Sequence, residues 1–175
     1  LDWIQECKRV LKPSGTIWIS GTYHSIYACG FALSIAGYKI LNDVSWYKPN
    51  AAPNLSCRYF TASHETLIWA IKDKEAKHTF NYEEMKNGEW PEDFLKKASK
   101  QMRSVWSVNT PQSWEKKFGK HPTQKPVELI TYALFNSSKT EDLIVDPFLG
   151  SGSTIVACQK TGMVCAGIEL DPKFV

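Results

Sequence analysis

The stretch that most constrains the fold runs from residue 142 to residue 154, Asp-Leu-Ile-Val-Asp-Pro-Phe-Leu-Gly-Ser-Gly-Ser-Thr. Its apolar run, Leu143 to Val145, is typical of a strand that is covered on both faces. Gly150 and Gly152 follow, and because glycine has no Cβ they allow the backbone to turn sharply and to approach a ligand closely. The stretch therefore predicts a buried strand, a tight turn and the start of a helix.

A second strand and an acid complete this unit. Ser153 or Thr154 is expected to cap the helix, and Gly162 to end it. Residues 163–168 then read as another buried strand, with Glu169 at its carboxyl end. A βαβ unit with an acid about 20 residues beyond the glycines is the arrangement that holds an adenosine, the acid accepting the ribose hydroxyls. The turn lacks the third glycine of a dinucleotide fingerprint and the Gly-Lys-Ser/Thr of a P-loop.

Three motifs occur in a fixed order along the chain: His-Pro-Thr-Gln-Lys-Pro (121–126), Asp-Pro-Phe-Leu-Gly-Ser-Gly-Ser-Thr (146–154) and Gly-Ile-Glu-Leu-Asp-Pro (167–172). Together they closely resemble the cofactor half of the β-group DNA amino-methyltransferases, which methylate adenine N6 or cytosine N4 with S-adenosylmethionine. The resemblance spans nearly the whole chain. It implies an α/β fold with a Rossmann-like class I methyltransferase sheet, a permuted motif order and an inserted target-recognition segment.

The resemblance also implies a set of residues that bind S-adenosylmethionine. Asp146 is expected near the methionine amino group and Glu169 on the ribose hydroxyls, while the methionine carboxylate is approached from the first motif. The full set is Thr123, Lys125, Asp146, Phe148, Gly150, Gly152 and Glu169. Three of these have ordinary structural alternatives: Lys125 as a cation at a helix start, Thr123 as a cap, and Asp146 as a residue that only orders the loop.

The resemblance divides the chain into three parts. Residues 1–71 form the catalytic-side half, 72–119 the target-recognition segment and 120–175 the cofactor-binding half. Hydrophobic periodicity and turn residues predict the elements within them. Helices are expected at 1–11, 23–36, 93–100, 123–138 and from the glycine turn to 162, and strands at 16–20, 39–46, 66–71, 143–145 and 163–168, with the rest of the middle segment irregular.

Two regions suit contact with DNA. The loop at 47–60 is rich in prolines, amides, cations and aromatic residues, a mixture that can read and stack bases. The middle segment from residue 72 to residue 120 holds 11 Lys/Arg against 8 Asp/Glu, which accounts for the whole net charge of +3, although a solvated face explains a bias of this size equally well. The predicted DNA-binding residues are Lys48, Asn50, Asn54, Arg58 and Arg103.

Composition limits the class of protein. A chain of 175 residues, 43% hydrophobic, is large enough for one domain with a substantial core. Its five cysteines are scattered and form no Cys-x-x-Cys pair, as in a reduced cytoplasmic protein. The four histidines are too dispersed to predict a metal site. The longest mostly apolar stretch, 26–37, is too short to span a bilayer. We expect a cytoplasmic, bacterial protein that does not bind a membrane.

The catalytic tetrapeptide of the family, D/N/S-P-P-Y/F/W, is absent, because the sequence contains no Pro-Pro. The two Asp-Pro pairs, 146–147 and 171–172, belong to the cofactor motifs. No catalytic residue is therefore assigned in this chain, and we expect the natural protein to carry additional N-terminal residues with the tetrapeptide. In the family's sheet the missing strand lies between the strands at 143 and 16, so without it both would expose unpaired edges.

The predicted function is site-specific transfer of a methyl group to adenine N6 in double- or single-stranded DNA, with GATC as the candidate site and a restriction–modification system as the setting. N4-cytosine methylation is the closest alternative, since the absent tetrapeptide best separates the two. A non-catalytic DNA-binding remnant is a second alternative. A nicotinamide-dependent oxidoreductase is a third, against which the absent third glycine argues. The oligomeric state stays open, with a dimer as one alternative.

Overall fold

Two separate sheets form the framework of the computed structural model, which describes residues 1–94, 96–117, 119 and 121–174. The helices are α1 (Asp2–Val10), α2 (Ile26–Ile35), α3 (Tyr82–Asn87), α4 (Val127–Ser137) and α5 (Ser153–Thr161), with short 3-10 helices at Ser113–Lys116 and Pro172–Phe174. The strands are β1 (Thr16–Gly21), β2 (Lys39–Tyr47), β3 (His64–Ile71), β4 (Val105–Ser107), β5 (Leu143–Asp146) and β6 (Val164–Gly167).

The larger sheet has the order β1-β3-β2-β4. Its central strand β3 is antiparallel to both β1 and β2, and β4 joins β2 in parallel. The register places Trp18 opposite Trp69, and Trp46 opposite Glu65. β3 carries apolar side chains on both faces, which suits a strand covered from two sides.

Both faces of this larger sheet are covered. On one face, α1 and α2 pack through Ile4, Ile26 and Leu33 against Ile19, Ile68 and Ala70. On the other face, the middle segment and α4 close a second cluster of buried side chains, namely Val44, Trp46, Leu67, Met85, Met102, Trp106, Val108 and Leu129. The middle segment is thus part of the hydrophobic core.

The smaller sheet pairs β5 with β6 in parallel. A cluster formed by α4 and α5 covers one face, with Val127, Leu134, Ala157 and Cys158 buried. On the other face Leu143 is 64% exposed and Val145 49% exposed. The prediction that the strand at 143–145 is covered on both faces is therefore wrong for this chain. The prediction of a buried strand at 163–168 is also wrong, because Val164 is 55% exposed and Ile168 61% exposed. Among the described residues, β5 pairs only with β6 and β1 only with β3, so each presents an edge.

Several predicted boundaries differ from the structure. The helix expected at 23–36 begins at Ile26, after a turn in which the Ser25 amide donates to Thr22 O over 3.0 Å. The helix expected at 123–138 begins at Val127, because Pro126 has an extended ψ of 138°. Strands β1, β2 and β3 are found within one or two residues of their predicted bounds.

The middle segment departs furthest from prediction. The helix expected at 93–100 is absent: residues 93–94 and 96–100 form turns and irregular backbone, and Leu95 lies outside the described residues. The carboxylate of Asp93 binds Arg103 instead. α3, β4 and the 3-10 helix at Ser113–Lys116 were not predicted, because their short lengths leave no periodic pattern.

Candidate functional site

The glycine turn between β5 and α5 has the left-handed backbone that its sequence requires. Gly150 has φ +53° and Gly152 has φ +78°, a region that other residues enter only with strain. A Cβ built on Gly152 would meet no atom within 4 Å, whereas one on Gly150 would lie 3.2 Å from the ring of His121. The space beside Gly152, at the N-terminus of α5, is therefore open to a ligand.

Asp146 orders this turn from its position at the end of β5. One carboxylate oxygen accepts the amide of Phe148 over 3.0 Å, and the other accepts the hydroxyl of Thr154 over 2.5 Å. The N-cap of α5 is Gly152, with no side-chain cap. The prediction that Ser153 or Thr154 caps this helix is therefore wrong, because the Thr154 hydroxyl is bound to Asp146. Gly162 ends the helix with φ +72°, as predicted.

Glu169 lies directly beside the turn. Its Oε2 accepts the Gly150 amide over 2.7 Å and its Oε1 accepts the Asp171 amide over 2.8 Å. The hydrogen bonds from the Asp171 and Gly150 amides lower the pKa of Glu169 below its ordinary value. The residue predicted to bind ribose is thus an ionised acceptor, fixed at the turn where the resemblance places the nucleoside.

His121 heads the first motif but is not among the predicted cofactor-binding residues. Its ring lies against Gly150 and stacks edge-on with Phe174 at a centroid distance of 4.4 Å. Its Nδ1 lies 3.2 Å from the hydroxyl of Thr123. The first motif is therefore folded against the second, and the available signal was the position of His121 at the head of His-Pro-Thr-Gln-Lys-Pro.

Lys125 and Lys48 meet at one buried carboxylate. Lys48 Nζ lies 2.7 Å from Oε1 of Glu65, and Lys125 Nζ lies 3.0 Å from Oε2. Burial alone would raise the pKa of Glu65, but the hydrogen bond from Lys48 and the charge of Lys125 outweigh burial and lower that pKa. A residue predicted for the cofactor and one predicted for DNA therefore share a partner that sequence reasoning did not select.

In the loop between β2 and β3, two predicted DNA-binding side chains accept hydrogen bonds from the protein, although Asn50 is itself exposed. Asn50 Oδ1 accepts the amide of Thr110 over 2.9 Å, and Asn54 Oδ1 accepts the amide of Ser56 over 2.9 Å. Arg58 is exposed. So are three large apolar side chains of the same loop, Leu55, Tyr59 and Phe60. The loop therefore combines an accessible cation with exposed aromatic rings.

Arg103, the remaining predicted DNA-binding residue, has an acidic partner. Its guanidinium donates to Oδ2 of Asp93 over 3.1 Å and to Oδ1 over 2.5 Å, and the Asp93 side chain is buried. The hydrogen bond to Asp93 raises the pKa of Arg103. The Arg103 side chain is still 50% exposed, so its role as a phosphate contact stays a prediction.

The described residues bring the cofactor motifs together but contain no group of three or more His, Cys, Asp or Glu side chains placed to hold a metal ion. The same part of the chain contains no helix that is both long and apolar enough to cross a membrane. The glycine turn, the Glu169 carboxylate and the exposed side chains of Phe148 and Leu170 offer a polar acceptor beside apolar surface, a combination that suits an adenosine-type ligand.

Comparisons with known proteins agree with this geometry. A family model described as DNA methylase matches residues 1–175. The chain is 47% identical over 174 residues to the type II methyltransferase M2.DpnII of Streptococcus pneumoniae, covering 99% of this chain and 62% of that protein. It is 44% identical over 176 residues to the type II methyltransferase M2.MboI of Moraxella bovis, covering 99% and 61%. The chain thus spans about six tenths of the length of these relatives.

Solved structures show the same fold. The M1.HpyAVI–SAM complex superposes with a TM-score of 0.79 at 28% identity, covering 99% of this chain and 76% of that one. The PvuII DNA methyltransferase, described as cytosine-N4-specific, superposes with a TM-score of 0.75 at 19% identity, covering 99% and 67%. The predicted Rossmann-like methyltransferase fold is confirmed.

Proposed function

Because this chain belongs to the DNA methylase family, we propose that it is part of an enzyme that transfers a methyl group from S-adenosylmethionine to the exocyclic amino group of a base in DNA. Adenine N6 is the proposed acceptor and GATC the proposed site, because the loop at 47–60 resembles that of the adenine methyltransferases that act on GATC. N4 of cytosine is the alternative. Since the chain spans about six tenths of its relatives, the transfer reaction is assigned to the whole protein and donor binding to the present residues.

The convergence of three motifs at one glycine turn carries the proposal. Glu169 accepts the Gly150 amide over 2.7 Å, and His121 of the first motif lies against the same glycine. A Cβ at Gly152 would project into open space, so the backbone there suits close approach by a ligand. These features support a nucleoside-binding turn.

The residues of the chain have distinct proposed roles toward the donor, which supplies the electrophilic methyl group of its sulfonium. Glu169 accepts the ribose hydroxyls, and Asp146 faces the methionine amino group. Thr123 and Lys125 approach the methionine carboxylate, whose charge the ammonium group complements. Phe148, Gly150 and Gly152 shape the turn.

DNA is the proposed macromolecular partner, double- or single-stranded. Arg58 and the exposed rings of Tyr59 and Phe60 suit phosphate contact and stacking on an unpaired base. Residues 72–119 are proposed as the target-recognition segment, residues 1–71 as the catalytic-side half and residues 120–175 as the cofactor-binding half. We place the protein in the bacterial cytoplasm, as part of a restriction–modification system.

The test is to incubate the whole natural protein with S-adenosylmethionine and unmethylated DNA, and to digest the product to nucleosides for mass spectrometry. The expected product is N6-methyladenine, lost when every GATC is replaced. N4-methylcytosine would select the alternative acceptor. DNA binding without any methylated nucleoside would overturn the enzymatic proposal in favour of a non-catalytic DNA-binding protein.

A further inference from the structure

The central strand β3 carries a buried carboxylate at a position where the packing of the sheet does not require a charged residue. Glu65 is the only acidic residue of β3, and it is 8% exposed. It lies directly opposite Trp46 in the register. Taking a charged carboxylate out of water costs free energy unless it is paired and hydrogen-bonded, so a strand that needed only stability would favour an apolar residue here.

Two lysines from distant parts of the chain form ion pairs with this carboxylate. Lys48, which follows β2, donates a hydrogen bond to Oε1 over 2.7 Å, whereas Nζ of Lys125, before α4, lies 3.0 Å from Oε2 as an ion pair. Both ammonium groups also lie near the ring of Trp46, at 4.9 and 5.9 Å from its centroid. The backbone amide of Lys48 donates to Ser63 O over 2.8 Å and closes the base of the loop.

The cluster carries a formal charge of +1, because two ammonium groups face one carboxylate. Lys48 is anchored through both its backbone and its side chain, and it fixes the orientation of the Glu65 carboxylate. Oε2 faces Lys125, which belongs to the same motif as His121, the residue that lies against Gly150. A partly buried cation that is held in place but incompletely compensated is suited to bind a ligand carboxylate.

We propose that Glu65 is a positioning residue that holds the Lys125 ammonium group for the methionine carboxylate of the methyl donor. The inference rests on the proposed function, since it requires that donor at the glycine turn. Glu65 does not touch the donor and acts through Lys125. Without its charge the two ammonium groups repel each other, and Lys125 turns toward solvent.

The proposal predicts a selective loss of affinity. In calorimetric titrations, Glu65→Gln weakens S-adenosylmethionine binding about tenfold, the usual worth of one charged hydrogen bond. It leaves unchanged the binding of 5′-methylthioadenosine, which has the nucleoside but no carboxylate. Lys125→Met gives the same selective loss. The double variant loses no more than either single variant, because both substitutions remove one interaction.

Two charge-matched surface variants serve as controls: Glu6→Gln on α1 and Lys139→Met before β5, both exposed, which bind both ligands as the wild type does. If Glu65→Gln weakened the binding of both ligands equally, or if the affinity losses added in the double variant, Glu65 would have a merely structural role. Either result would overturn the positioning role and leave the proposed function standing. Wild-type protein that binds neither ligand would overturn the proposed function and this inference with it. Wild-type binding with an unaffected Glu65→Gln variant would overturn only the inference.

Discussion

The four-stranded sheet and the two-stranded sheet differ in how far their faces are covered. The four-stranded sheet is covered on both faces, and its strands hold the buried side chains Trp46, Leu67 and Ile71. The two-stranded sheet is covered on one face and leaves Leu143 and Val145 about half exposed or more. Yet the smaller sheet carries the glycine turn and Glu169. Stability is thus concentrated in the four-stranded sheet, and the residues proposed for the nucleoside of the donor lie on the two-stranded sheet.

The two sheets are joined by α4, which packs on both of them, and by a few side-chain contacts. Lys125 reaches from the segment before α4 to Glu65 on β3, and Trp3 of α1 contacts Phe148 of the turn at 5.4 Å between ring centroids. Trp18 Nε1 donates to the hydroxyl of Ser137 over 3.0 Å. We therefore expect substitutions at the glycine turn to weaken ligand binding with little loss of stability. Substitutions of buried residues in the four-stranded sheet are expected to lower the stability of the whole protein.

The largest effect is expected from Trp106→Ala, which empties a core site in the middle segment. Trp106 is 4% exposed and its indole donates to Arg103 O over 2.8 Å. Its truncation should reduce the free energy of unfolding by about 3 to 5 kcal/mol, measured by urea denaturation. Leu143→Ala on the exposed face of β5 should change it by less than about 0.5 kcal/mol. Equal effects would contradict the division between the sheets.

Comparing Gly152→Ala with Gly162→Ala distinguishes the effect of filling the space for a ligand from the effect of backbone strain. Both glycines have φ between +70° and +80°, so each alanine should cost about 1 kcal/mol of stability. Only Gly152 faces the open space at the turn, and only its variant should lose S-adenosylmethionine affinity, by about tenfold or more. Calorimetry and thermal denaturation measure the two effects. A similar affinity loss in Gly162→Ala would mean that strain, not occupied space, explains the result.

Arg58→Ala and Arg103→Ala compare an exposed cation with a paired one. Removing Arg58 should weaken DNA binding and reduce the salt dependence, the slope of log K against log salt, by about one unit. Removing Arg103 should leave that slope unchanged, because its charge is compensated by Asp93. Fluorescence anisotropy with a labelled duplex at several salt concentrations measures both slopes. A reduced slope for Arg103→Ala would confirm it as a phosphate contact.

The smallest effect concerns pH and is confined to the turn. The pKa of Glu169 is lowered by hydrogen bonds from the amides of Asp171 and Gly150. The pKa of Glu169 in the folded protein lies below that of an unfolded glutamate. The stabilisation of the turn by its carboxylate is therefore complete above the pKa of the unfolded state and is lost as pH falls through the pKa of the folded state. The Gly150 amide resonance should follow this titration by NMR and stay constant in Glu169→Gln. A midpoint at or above the ordinary value would contradict the hydrogen bonding.

The sequence predicted best where the pattern was local. β1, β2 and β3 are apolar or partly alternating runs with the length of strands, and Gly162 ends α5 because a left-handed residue closes a helix. The three motifs also identified the family and the turn that Gly150 and Gly152 form. These features depend on neighbours within a few residues, so they can be read along the chain.

What the sequence did not reveal depends on distant pairing. Glu65 was not selected because its two lysine partners are 17 and 60 positions away. The contact of His121 with Gly150 could not be predicted because it crosses 29 positions. The middle segment is predicted as a basic and mostly irregular target-recognition segment, yet Trp106 enters the core through β4, a strand of three residues that leaves no periodic signal.

The most direct test of the central claim is calorimetric titration of the wild-type chain and of Glu169→Ala with S-adenosylmethionine and, separately, with NAD. The glycine turn with its acid predicts saturable binding of S-adenosylmethionine alone, weakened in Glu169→Ala while the variant stays folded by circular dichroism. Binding of NAD in place of S-adenosylmethionine, or equal S-adenosylmethionine affinity in both proteins, would contradict the assignment of this turn as the donor site.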